Sequence, residues 1–182
     1  MKSGYSFLLD SLNGGTYRIY YNDLYGGLVS KEVELLPGND QHLTIKIDSL
    51  DASEFLRKTP LANLENGKSY KISWKGGDVT SFYGGYEMKL TNGGYIMQPV
   101  NLEPILLSAE DTNKVKQFEA ELLSIEGKGI CGGLNALTYT ITKSGGIQQI
   151  TDFTCNWVGW DYTIAPICQN VVNQFPLMIK CK

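Results

Sequence analysis

Glycine occurs in pairs along this chain, and the pairs set its possible folds before anything else does. Seven doublets punctuate it: Gly14-Gly15, Gly26-Gly27, Gly76-Gly77, Gly84-Gly85, Gly93-Gly94, Gly132-Gly133 and Gly145-Gly146. Glycine enters positive φ without steric penalty, so doublets between apolar stretches read as hairpin turns. Asn13-Gly14 and Asn92-Gly93 are the sharpest cases, because Asn-Gly suits the turn whose twist matches paired strands.

The stretches between the doublets alternate or are rich in β-branched and aromatic residues. They are Thr16 to Tyr21, Leu43 to Ile47, Tyr70 to Trp74, Tyr95 to Val100, Leu137 to Thr142 and Leu177 to Cys181. Leu43, Ile45 and Ile47 against Thr44, Lys46 and Asp48 show a two-residue period with one face buried. These patterns predict a mainly β chain, an antiparallel β-sandwich. Two short helices interrupt it, at about 51–58 and 111–125. The first follows the capping-box spacing of Asp51-Ala-Ser-Glu54 and stops before Thr59-Pro60. The second follows Ser108-Ala-Glu-Asp111 and carries Val115, Phe118, Leu122 and Ile125 on one face, ending at Gly127. A single domain over 1–182 is the simpler organisation. The alternative is two small β-rich subdomains, 1–100 and 105–182, divided at the prolines between Pro99 and Pro104.

Sixteen basic and nineteen acidic residues give a net charge of -3, which offers no electrostatic footprint for nucleic acid. No apolar run approaches the roughly 20 residues that span a bilayer as a helix, so membrane insertion is not expected. The four cysteines, Cys131, Cys155, Cys168 and Cys181, all lie in the last third of the chain. None has the close spacing of a zinc site. They are expected to form two disulfides tying the C-terminal third, with the pairing open. That places the protein outside the cytoplasm, secreted or periplasmic and bacterial; the alternative is a cytoplasmic chain with reduced cysteines. Asp10 breaks the apolar run after Met1-Lys2-Ser3, so no signal-peptide core is visible, as in a mature form.

Catalytic constellations are sparse. The single histidine, His42, sits in a turn and has no evident nucleophile to activate. Glu32-Val-Glu34 puts two acids on one face of a strand, and Glu119-Ala-Glu121 does so if that segment is extended. Same-face neighbours are about 7 Å apart, within the roughly 5–9.5 Å that glycoside hydrolysis uses. A small secreted hydrolase is therefore the rival reading. Calcium would have to use Gly38-Asn39-Asp40 with Asp48 and Asp51, which lack the alternating ligands of an EF-hand loop. No cofactor is expected.

Aromatic residues beside glycines are the most informative feature. Tyr83-Gly-Gly-Tyr86, Tyr95 and the run from Trp157 to Tyr162 set amphipathic rings next to residues that give no cover. Such rings form platforms for sugars or protein partners, since one face stacks while the tip hydrogen-bonds. Trp74 is assigned to the core. Trp157, Trp160, Asp161 and Tyr162, with Asn156 at the rim, are the candidate ligand site, and Gly159 is the place for a bulge that re-aims one ring. The expected function is a non-catalytic binding protein recognising a glycan, cell-surface molecule or protein partner. A secreted inhibitor or effector presenting a glycine-rich loop is the remaining possibility.

Overall fold

A computed structural model describes residues 12–38, 41–45, 50–76, 82–131, 136–154, 157 and 159–172. The chain is mainly β, with two antiparallel sheets and few helices. Strands β1 (Gly15–Asn22) and β2 (Leu28–Leu35) form a separate ribbon. Strands β3 (Ser69–Gly76), β4 (Phe82–Thr91), β5 (Gly94–Pro99), β6 (Ile105–Leu106), β7 (Thr138–Lys143) and β8 (Gly146–Thr151) form a six-stranded sheet in the order β6-β5-β4-β3-β7-β8. Helix α1 runs from Ala109 to Ser124 and helix α2 from Ala165 to Val172. Strands on either side of Pro99 to Pro104 share the large sheet, because β3 bonds β4 on one side and β7 on the other.

The expected sandwich is corrected. A sandwich needs two sheets that each bury a face, and no residue of β1 or β2 is buried. Helix α1 and the 157–168 segment cover the large sheet instead. Its inner face contributes Tyr70, Ile72, Trp74, Tyr86, Met88, Met97, Tyr139, Ile141 and Ile150 to the core. The ribbon attaches through its turn, where Leu24 is buried and the Ile130 amide donates to the Tyr25 carbonyl at 3.2 Å. The Asp23 carboxylate shapes that turn by accepting from the amides of Tyr25 and Gly27.

Helix α1 forms where its cap and its stripe agree. The Ser108 hydroxyl accepts from the Asp111 amide at 3.0 Å and donates to the Asp111 carboxylate at 2.7 Å. Val115, Phe118, Leu122 and Ile125 are completely buried, and Gly127 (φ 68°) ends the segment. The expected helix at 51–58 is only a 3-10 turn, Ser53–Phe55, and a second such turn follows at Leu61–Asn63. Here the Asp51 carboxylate accepts from the Ser53 amide at 3.0 Å, two residues on, and Pro60 follows too soon for a helix to lengthen. Residues 41–45 are not a strand, and the rest of that expected strand, like the one at Leu177 to Cys181, lies outside the described residues.

Three hairpins turn at glycine doublets, Gly26-Gly27, Gly93-Gly94 and Gly145-Gly146, but Gly84-Gly85 lies inside β4. Thr91 pairs with Gly94 and Lys143 with Gly146, leaving two-residue loops. Positive φ falls on the second glycine in each case, Gly94 (121°) and Gly146 (139°), and not on Asn92. Gly84 serves space instead: a Cβ there would lie 2.5 Å from the Trp74 indole nitrogen. Gly145, by contrast, faces open space. Gly84→Ala should therefore cost about 1–3 kcal/mol through overpacking and shift the tryptophan emission. Gly145→Ala should leave both unchanged, as chemical denaturation followed by fluorescence would show.

Candidate functional site

Of the candidate site residues, Trp157 lies in the core and Trp160 at its margin. Trp157 is 6% exposed, so its place in an exposed patch is corrected. Its ring stacks on Phe118 with centroids 5.8 Å apart and planes 12° apart, and its indole N–H donates to the Glu121 carboxylate at 2.9 Å. Trp160 is half-buried and lies against Trp74, with ring centroids 6.1 Å apart. Gly159 does not re-aim a ring outward; a Cβ there would sit 2.4 Å from the Trp157 ring, so the glycine makes room for the indole. Asp161 and Tyr162 belong to a π-helical turn, Trp160–Ile164, that leads into α2. Asn156 lies outside the described residues, as do Cys155 and Cys181.

The reason for the difference is the local conformation. A bulge at Gly159 presupposes a strand, but the chain is helical from Gly159. In a helix, residues three and four apart share a face. Trp160, Ile164, Ile167 and Cys168 follow that spacing, and the last three are buried. The signal was legible in those four residues. Pro166 obscured it, because a proline reads as the end of a helix, whereas here it stands where the π-helical turn Trp160–Ile164 passes into α2.

Two bridges using all four cysteines are also corrected. Cys168 is a free thiol, 6% exposed, and burial pushes it up to about 11. No disulfide joins two described residues, although Cys131 is not free. The Cys131 amide donates to the Phe153 carbonyl at 3.0 Å, which holds the loop after α1 against the segment after β8.

Of the two carboxylate pairs, only Glu32 and Glu34 share the face of a strand. Glu32 and Glu34 are exposed on β2, and Glu32 pairs with Arg18 across the ribbon. Glu119 and Glu121 are helical rather than extended, so their side chains diverge. Glu121 is half-buried and accepts from Gln117 and Trp157. His42 is exposed. Of the calcium candidates, Asn39, Asp40 and Asp48 lie outside the described residues. Among the described residues no three His, Cys, Asp or Glu side chains converge on a point where a metal could sit.

What sequence reasoning did not find is the setting of Glu119. It is 1% exposed, a carboxyl set among buried aromatic rings. Its Oε2 accepts from the Leu61 amide at 2.9 Å. Its Oε1 accepts from the Tyr86 hydroxyl at 2.9 Å and, very closely, from the Tyr70 hydroxyl. Rings pack tightly around it, with Tyr70 edge-on to Tyr86 and Tyr86 tilted against Phe118. Burial raises Glu119 from 4.5 to about 7, while the three donors pull the other way. Burial likewise raises the Tyr70 and Tyr86 hydroxyls well above their usual range. A carboxyl so enclosed can hold or release a proton.

No protein-family model, curated protein or solved structure matches this chain. No helix among the described residues is long and apolar enough to cross a membrane.

The folded state holds the Glu119 proton more tightly than the unfolded chain does. Its contribution to stability is full below pH 4.5 and is lost as pH rises to about 7. The shift corresponds to at most roughly 3 kcal/mol. Glu119→Gln should flatten that part of the profile. It should also cost about 1–2 kcal/mol below pH 4.5, because one donor then meets an amide NH₂. Denaturant melts of both proteins between pH 4 and 8 measure the difference; parallel profiles would show that Glu119 does not titrate in this range.

Proposed function

We propose that this chain is a non-catalytic, extracytoplasmic binding protein whose ligand is a glycan, held on the outer face of the six-stranded sheet. One observation carries the reading. The helices cover one face of that sheet, and the other presents Tyr83, 55% exposed, beside a band of hydrogen-bonding side chains. Cross-strand register puts Tyr83, Lys75, Thr138 and Thr151 in one row and Gly85, Ser73, Thr140 and Gln149 in the next. Neighbours within a row are about 4.8 Å apart.

This chemistry suits a sugar. A ring stacks on the apolar face of Tyr83, and Gly85 in the adjoining row leaves the ring's flank uncovered. Threonine hydroxyls, the Ser73 hydroxyl and the Gln149 amide can each donate and accept, as sugar hydroxyls require. The Thr138 and Thr151 hydroxyls lie 3.3 Å apart, so they are already orientated by one another. The aromatic principle inferred from the sequence is kept, but its place moves from the 157–162 run to Tyr83.

The extracytoplasmic setting rests on Cys131. We assign it a disulfide to another cysteine of the C-terminal third. Four cysteines less one bridge leave two thiols, Cys168 among them.

Calorimetric titration with neutral hexose and N-acetylhexosamine oligosaccharides tests the ligand class. Tyr83→Ala should weaken binding by about 1–2 kcal/mol and leave the melting temperature unchanged. Equal binding by Tyr83→Ala, or none of the oligosaccharides binding the wild type, defeats the reading. Thiol titration of the denatured, unreduced protein should find two thiols; four would remove the bridge.

A further inference from the structure

We propose that β8 is an open sheet edge to which a second copy of this chain adds its own β8, antiparallel, making one continuous sheet across a two-fold axis. The other sheet edges are protected against further pairing. Strand β6 ends the sheet on the far side and is only two residues long, preceded by Glu103 and Pro104. Such short, proline-flanked, charged edges resist further pairing. The ribbon strands carry Arg18, Lys31, Glu32 and Glu34, which do the same. Strand β8, Gly-Ile-Gln-Gln-Ile-Thr, has six residues with no charge and no proline. Its Ile147 is 69% exposed.

The register shows which backbone groups are open. The Asp152 amide donates to the Leu137 carbonyl at 2.8 Å, so 137 and 152 form a hydrogen-bonded pair. Antiparallel pairs alternate between bonded and non-bonded. Hence Thr138 with Thr151, Thr140 with Gln149 and Thr142 with Ile147 are the non-bonded pairs. On β8 the N–H and C=O groups of Ile147, Gln149 and Thr151 therefore point away from β7. Among the described residues no main-chain group bonds them. They are obligatory hydrogen-bonding groups, and they form a template for one more strand.

A second copy fits this template better than an arbitrary strand. A two-fold axis through Gln149 sets each Gln149 opposite its counterpart, and Ile147 opposite Thr151 of the second copy. Open groups then face open groups on both strands, which is the bonded pairing. No charge opposes a like charge, the usual obstacle to self-pairing. The two Gln149 amides can donate to and accept from each other, and Ile147 gains the methyl of Thr151. Gln148 projects to the opposite face, where it donates to the Glu126 carboxylate at 3.1 Å.

Sedimentation equilibrium of the wild type, from about 1 μM to 1 mM, should show a reversible monomer–dimer equilibrium. Gln149→Lys opposes two ammonium groups across the axis and should raise the dissociation constant roughly tenfold or more. Gln149→Pro removes an outward N–H that β7 does not use and should do the same. Each variant's far-UV spectrum and melt, taken at a concentration where the wild type is monomeric, verify its fold. Hydrogen exchange locates the contact: the amides of Ile147, Gln149 and Thr151 should slow as concentration rises. A wild type that stays monomeric to 1 mM overturns the proposal. So does a dimer that folded Gln149→Lys leaves intact, or one whose exchange protection falls elsewhere.

Discussion

Glu119 is a carboxylate at the centre of a hydrophobic core, and the elements around it are arranged to make that tolerable. Burying an unpartnered ionised carboxyl costs more than a domain's net stability allows, so the group must be neutral, hydrogen-bonded, or both. Here it receives an amide from the Leu61 turn, a hydroxyl from β3 and a hydroxyl from β4. One side chain on α1 thus fixes a loop and two central strands relative to the helix. Removing any donor would leave the carboxyl underprovided, which is why this contact constrains more of the fold than its size suggests. Its partners are a main-chain amide and two phenols, none of them cationic. The proton therefore balances the burial, and the core is sensitive to pH near neutrality.

The aromatic layer follows from that anchor. Tyr70 and Tyr86 must point inward to reach Glu119, and Phe118, one residue before it on α1, then meets Tyr86, Trp74 and Tyr139. Trp157 closes the layer on Phe118, and its indole N–H is satisfied by Glu121, two residues beyond the anchor. Two neighbouring acids on one helix thereby serve different phenols and indoles on different sides. A strand would have put Glu119 and Glu121 on one face, and only the helix lets them divide the work. Among the described residues, the buried Trp74 indole N–H and Tyr139 hydroxyl in the same layer find no hydrogen-bond partner. A well-packed aromatic layer tolerates such groups only at some cost in stability.

Much of this was legible from local rules. Alternation marked Tyr70 to Trp74, Tyr95 to Val100 and Leu137 to Thr142, because a half-buried sheet forces a two-residue period. The Ser108 cap and the spacing of Val115, Phe118, Leu122 and Ile125 marked α1. What escaped was long-range. Nothing near Glu119 in sequence announces Leu61, Tyr70 or Tyr86, which lie 58, 49 and 33 residues away. An acid amid apolar neighbours on a helix reads locally as an outward residue. The Trp157 to Tyr162 run misled for the opposite reason. Glycine beside an aromatic reads as exposure, whereas Gly84 and Gly159 lie directly under indole rings and leave room for those rings to be buried. A glycine next to a tryptophan therefore carries two contrary meanings, and only the partner across the gap decides between them.

Strand β7 shows how one short sequence supplies both the core and the surface. In Thr138-Tyr-Thr-Ile-Thr142, Tyr139 and Ile141 enter the aromatic layer while the three threonines face away from it. The inner residues are constrained by packing to within a methylene, since the core has little free volume. The outer ones answer only to the pleat, which needs a β-branched residue but not a particular polarity. Threonine meets that demand with its branched Cβ and adds a hydroxyl that backbone geometry holds in a regular row. Lys71, Ser73 and Lys75 on β3 extend the same logic next to it, and Tyr83 on β4 ends the row with a ring. Helices protect one side of the sheet, so the other can vary in chemistry without endangering the fold. A ligand-binding surface is most easily built on that side, where side chains are positioned rigidly but are not needed to hold the molecule together.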